Sequence, residues 1–117
     1  MMSNGYSFTP SILGEIQVPS KGIVSHTLYN DEGIRIIVFG FAPGEEMTAH
    51  TAPMPATIQI LTGEVTLILG ADSCEAAPGG LVHMAPLLTH GIVAKTPAVV
   101  LLTLLKTARQ ETKPEAS

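Results

Sequence analysis

The sequence predicts an all-β domain folded as a sandwich or barrel. Three observations carry this expectation. Short runs rich in Val, Ile and Thr recur along the chain, residue types that suit a pleated, half-buried surface. The segments between them carry Gly, Pro, Asn and Asp, the residues of tight turns. The runs are too short and too regularly punctuated for alternating strand–helix–strand units.

The strand-like runs are residues 22–29, 34–41, 57–61, 64–69, 80–84, 90–94 and 98–105. The separators include Asn30-Asp31-Glu32-Gly33, Pro43-Gly44, Thr62-Gly63, Gly70-Ala71-Asp72-Ser73, Pro78-Gly79-Gly80 and Lys95-Thr96-Pro97. Alternation is clearest in 64–69, where Val65, Leu67 and Leu69 share one face. Residues 98–105 hardly alternate. They read as a strand buried on both faces, with the core on one side and a partner subunit on the other. Val99, Val100 and the preceding Pro97 favour a strand there over a short buried helix. Residues 1–20 form an N-terminal segment expected to add an edge strand, failing which its first ten residues are expected to be mobile. Residues 21–106 form the barrel, and the polar residues 107–117 form a flexible tail.

A chain of 117 residues suits one domain. Apolar residues make up 45% of it and charged residues 14%, against the roughly 25% charged of an average soluble domain. The apolar excess must be covered by protein, and a two-fold homodimer is the expected form. A monomer with a large ligand cavity is the alternative. The net charge is −4 and the six basic residues are spread thinly, which argues against a nucleic-acid partner. The longest apolar run, 98–105, falls well short of the roughly 20 residues of a membrane span. The polar N-terminus has no basic and apolar leader pattern, so a cytoplasmic location is expected. The single cysteine, Cys74, excludes an intrachain disulfide framework and cysteine-rich zinc sites. It reads as an incidental residue of a polar turn, with no basic neighbour in sequence to activate it.

Four histidines are present: His26, His50, His83 and His90. His50 follows the turn Pro43-Gly44-Glu45-Glu46, and His90 follows Ala85-Pro86-Leu87-Leu88-Thr89. Each sits where a turn re-enters the sheet, and the mouths of barrels are frequent ligand sites. Glu45 and Glu46 read as solvated turn residues in preference to a general acid or base. The spacing resembles the paired motifs of the cupin superfamily. The first family motif runs from a glycine across five residues to a first histidine, then a second histidine, a glutamate and a closing glycine. Gly44, His50 and Gly63 take three of those positions. In the second motif, Gly79 takes the opening glycine and His90 the histidine. The 15 residues from Glu64 to Pro78 make a short inter-motif stretch. This resemblance implies a small cupin-type β-barrel, the jelly-roll or double-stranded β-helix.

The departures from the motifs bear on the chemistry. Ala52 stands at the second histidine and Ala56 at the glutamate of the first motif. In the second, Ala85, Leu87 and Ala94 replace a proline, a glycine and an asparagine. Of the four metal ligands that the resemblance implies, only His50 and His90 remain. Two neutral imidazoles make a weak site, so a third ligand is expected from His83 or His26; Gln59 would point away from the face of Ala56, Ile58 and Ile60. A site without a carboxylate disfavours hard cations and leaves one divalent zinc, nickel, iron or copper ion, or no metal at all. The small Ala52 and Ala56, with Met47, Met54, Met84, Ile58 and Ile60 nearby, outline an apolar pocket for a small-molecule ligand. The leading expectation is a small-molecule-binding protein, metal-dependent in its fuller form. A metal-dependent enzyme of dioxygenase, isomerase or decarboxylase type is a second reading, and a sensory or structural module without chemistry is a third.

Overall fold

The computed structural model describes residues 5–106. Among these residues, nine strands make two antiparallel sheets. They are β1 (Ile23–Asn30), β2 (Ile34–Phe41), β3 (Glu46–His50), β4 (Ala56–Thr62), β5 (Val65–Leu69), β6 (Asp72–Ala76), β7 (Leu81–Met84), β8 (His90–Ala94) and β9 (Ala98–Leu105). Five strands pair in the order β1-β2-β9-β4-β7, and four in the order β3-β8-β5-β6. The inner faces of the two sheets meet in one core that includes Phe41, Ile58, Ile60, Val65, Leu67, Met84, Ile92 and Val100. Among the described residues, no helix is long and apolar enough to cross a membrane.

All seven expected runs are strands, with ends shifted by at most one residue. The register shows why the alternation in β5 is clean. Val65, Leu67 and Leu69 face inward, and Thr66 faces out toward Glu75 of β6. β9 is the middle strand of the larger sheet, flanked by β2 and β4. Its first three residues, Ala98, Val99 and Val100, are buried on both faces, and the rest are half-buried.

β3 and β6 lie outside the expected runs. Both are edge strands with exposed residues at most positions, so no apolar pattern marks them. The turn drawn over residues 70–73 is therefore shorter, and Cys74 lies in β6 rather than in a turn; its thiol is exposed. No strand precedes Ile23 among the described residues. Residues 5–22 hold only a 3-10 turn at Leu13–Glu15 and lie over the outer face of the larger sheet. A Cβ added to Gly40 of β2 would stand 3.3 Å from the side chain of Ile16 and 3.4 Å from the backbone of Val18. The segment thus covers a sheet face instead of extending a sheet edge. The expected tail at 107–117 lies outside the described residues.

Gly63 needs to be glycine for two reasons. Its φ is +82°, and a Cβ there would overlap the carbonyl oxygen of Pro97 and stand 2.7 Å from Cα of Ala98. The β4–β5 turn is thereby pressed against the start of β9.

Candidate metal and ligand site

The site begins with an irregularity between β3 and β8. Met47 pairs with Ile92, and His50 pairs with His90. Three steps along β3 therefore match two along β8, which is a β-bulge. In a regular strand, positions 47 and 50 would face opposite sides. The bulge turns His50 back to the side of Met47. Gly91 makes the bulge sterically possible, because a Cβ there would stand 2.9 Å from the carbonyl oxygen of Met47 and 3.0 Å from the nitrogen of Ala49.

The two imidazoles meet with ring centres 4.6 Å apart and planes inclined at 52°. Each ring is held by the same local device. Nδ1 of His50 lies 3.0 Å from the carbonyl oxygen of Thr48, and Nδ1 of His90 lies 2.9 Å from that of Leu88. A carbonyl oxygen only accepts, so each Nδ1 carries the proton and donates. In a neutral ring each Nε2 then keeps its lone pair. Neither Nε2 has a hydrogen-bond partner among the described residues. Both rings line a cavity of about 30 Å³ with Phe39, Met47, Ile58, Ile92, Val100 and Leu102. That volume is about one water molecule's share. His50 is exposed and His90 half-buried, so the pair spans from the cavity to solvent.

No protein-family model matches the chain, and no curated protein matches it in sequence. Solved structures do match its shape. A cupin superfamily protein from Desulfitobacterium hafniense superposes with a TM-score of 0.79 at 20% identity, over 90% of this chain and 97% of that one. An RmlC-like cupin protein from Desulfovibrio desulfuricans gives 0.77 at 22% identity, over 86% and 98%. A conserved protein of unknown function from Streptococcus pyogenes gives 0.78 at 23% identity, over 95% and 91%. The chain is a small cupin domain in its fold.

Placed in the cupin frame, the site residues anticipated from sequence divide into four groups. His50, His90, Met47 and Ile58 line one cavity together. Ala56, Ile60 and Met84 point inward and are fully buried, but they belong to the packed core and do not line that cavity. Ala52 and Met54 lie half-buried in the loop between β3 and β4, also away from it. His26 and His83 lie on the outer face of the larger sheet. His26 reaches Glu15 at 3.4 Å through Nε2, and His83 pairs with Thr57, on the same face as the exposed Gln59. Neither supplies a third ligand beside His50 and His90. Among the described residues, no group of three or more His, Cys, Asp or Glu side chains is placed to hold an ion. Phe39, Ile92, Val100 and Leu102 complete the lining. Their positions are legible only once β2, β8 and β9 are set in register, because all three strands are apolar on both faces.

The loops that carry the two motifs are tied together. The amide of Leu87 donates to the carbonyl oxygen of Ala52 at 2.8 Å. Leu87 has a φ of +71°, the one left-handed non-glycine residue described, and it occupies the position of a motif glycine. The backbone keeps the glycine conformation although the residue has changed. Glu45 also holds the structure together, because its Oε2 accepts from the amide of Gly22 at 3.0 Å.

Proposed function

We propose that this cupin binds one transition-metal ion through Nε2 of His50 and Nε2 of His90, and presents that ion to a small molecule from solvent. The observation that supports the reading is the pair of imidazoles with both Nδ1 atoms anchored to backbone carbonyls. Metal-binding histidines are oriented in this way, which fixes the tautomer and makes Nε2 more basic. Two imidazoles sharing an ion through bonds of about 2.0 Å keep their ring centres within roughly 6 Å. The 4.6 Å observed lies inside that reach. The four-ligand set of a typical cupin does not fit this chain, because alanines stand at two of its positions. A site with two imidazoles does.

The cavity of about 30 Å³ takes an ion or a water, whereas organic ligands occupy pockets of roughly 300–1,000 Å³. A small molecule therefore meets the ion at the open side, beside the exposed His50. The binding reading is favoured over the enzymatic one by the lining itself. Apart from the two imidazoles, every side chain there is a hydrocarbon or a thioether, and none serves as a general acid or base.

Elemental analysis of untagged protein tests this reading. One metal ion per chain is expected, lost in both His50→Ala and His90→Ala. Metal-free wild type whose melting temperature is unmoved by added zinc, nickel, iron or copper would overturn it. So would variants that retain the metal.

A further inference from the structure

We infer that Met47 is the third ligand of this site and that the ion it selects is cuprous copper. This rests on the proposal that His50 and His90 hold a metal. Among the described residues, eight side chains line the cavity, and three of them carry a donor atom: His50, His90 and Met47. The other five, Phe39, Ile58, Ile92, Val100 and Leu102, are hydrocarbon. Met47 lies on β3 opposite Ile92, whose side chain is buried in the core, so the thioether belongs to the inner face. The bulge at residues 48 and 49 brings His50 to that same side. Among the described residues, no side-chain oxygen lines the cavity, and the single thiol, Cys74, does not line it either.

A set of two imidazoles and one thioether is neutral and soft. Thioether sulfur favours monovalent copper, while zinc takes thiolate, imidazole and carboxylate. Charge gives a second, independent argument. The cost of moving an ion into a low-dielectric interior rises with the square of its charge, so a dication costs about four times as much as a monocation of equal size. Where a carboxylate is a ligand, its negative charge offsets much of that cost. Here the carboxylate position is Ala56, buried among core side chains, and nothing in the lining compensates a second positive charge. The alanines in the first motif thus leave a site suited to a soft monocation in place of a hard or borderline dication. The exposed edge of His50 leaves the bound ion one side open to a soft ligand.

The test is an anaerobic titration of the full-length, untagged protein with Cu(I) in competition with a chromophoric cuprous chelator. A parallel titration uses Zn(II). All samples carry Cys74→Ser, so that the exposed thiol cannot bind copper. One Cu(I) per chain is expected, held more tightly than Zn(II). Met47→Leu keeps the volume and apolar character of the side chain, and an unchanged melting curve checks its fold. It is expected to weaken Cu(I) binding by about tenfold or more, since even contacts outside the ligand set carry that much, and to leave Zn(II) binding unaltered. X-ray absorption at the copper edge is expected to show one sulfur neighbour in the parent and none in Met47→Leu. Equal Cu(I) affinity in the two proteins, or no sulfur neighbour in the parent, would overturn the role of Met47 and leave the histidine pair standing. Zn(II) binding tighter than Cu(I) would overturn the choice of ion. If neither ion binds the parent, or if His50→Ala and His90→Ala bind both unchanged, the two-histidine reading itself fails.

Discussion

Leu87 carries a clear local cost. An L-residue in the left-handed region is disfavoured by roughly 1–2 kcal/mol, and Leu87 sits there at +71° with its side chain 68% exposed. Glycine would remove that strain but would lose more chain entropy on folding, about 0.5–1 kcal/mol. Leu87→Gly is therefore expected to be neutral or to stabilise by up to about 1 kcal/mol, while Leu87→Val is expected to destabilise, since a β-branched side chain tolerates positive φ least. Urea denaturation of the three proteins decides it; a clear loss of stability in Leu87→Gly would contradict the strain at this position. The second motif marks Leu87 as standing in for a glycine, but whether the backbone had relaxed is visible only in three dimensions. The fate of the histidines shows the same division. The spacing of His50 and His90 was legible from the motifs. The outward placement of His26 and His83 depended on register, which an unaligned strand leaves open by one residue, and one residue reverses the face.

At the scale of elements, the β3–β8 bulge decides the site and the β1–β2 turn decides a pH dependence. Gly91→Ala would press a methyl group against Met47 and Ala49 of β3. Overpacking of this kind costs about 1–3 kcal/mol, and here it would also move His50 away from His90. Lower stability together with weakened metal binding is the expected pair of results from denaturation and metal titration; unchanged metal affinity would separate the bulge from the site. In the β1–β2 turn, Asp31 accepts from the Tyr29 hydroxyl at 2.6 Å and from the amides of Gly33 and Ile34 at 2.8 and 2.9 Å. The hydroxyl contact is the largest of several that hold its carboxyl below the ordinary range. The folded state thus binds this proton less readily than the unfolded chain does. The stabilisation is present above the unfolded value, near pH 3.9, and is lost as pH falls through the lower folded value. The stability difference between wild type and Asp31→Asn is expected to shrink as pH is lowered below about 4, followed by urea midpoints across pH. A difference that stays constant would show that the Asp31 charge contributes nothing to the turn. Seven strands were legible because each is rich in apolar or β-branched residues and bounded by turn residues. β3 and β6 were not, because each exposes most of its residues and so carries no apolar pattern, and the bulge was hidden with β3.

For the whole molecule, part of the exposed apolar surface lies together at the N-terminal segment. Tyr6 and Phe8 of the N-terminal segment are 74% and 75% exposed. Beside them, the outer face of the larger sheet bears a groove of about 590 Å³ lined by Tyr6, Ile12, Ile34, Ile36 and Leu101. We propose that a second copy of the chain covers it. A two-fold axis lets this patch of arm and groove meet its own copy, so one surface serves both partners. Sedimentation equilibrium is expected to give a dimer in wild type and a monomer in a Tyr6→Ser, Phe8→Ser variant; a wild-type monomer would contradict the proposal. The proposed dimer surface and the proposed ion site lie on opposite faces of the larger sheet, so the variant is also expected to keep its metal. The central claim is that two imidazoles, each anchored through Nδ1, offer their Nε2 lone pairs to one ion. Long-range proton–nitrogen NMR of the histidine rings at neutral pH, before and after addition of one equivalent of Cu(I) under anaerobic conditions, tests it most directly. His50 and His90 are both expected to carry their proton on Nδ1. Both of their Nε2 resonances, and neither of those of His26 and His83, are expected to shift when the ion is added. A proton on Nε2 of either ring, or an Nε2 in either that is moved neither by Cu(I) nor, in a parallel sample, by Zn(II), would contradict it.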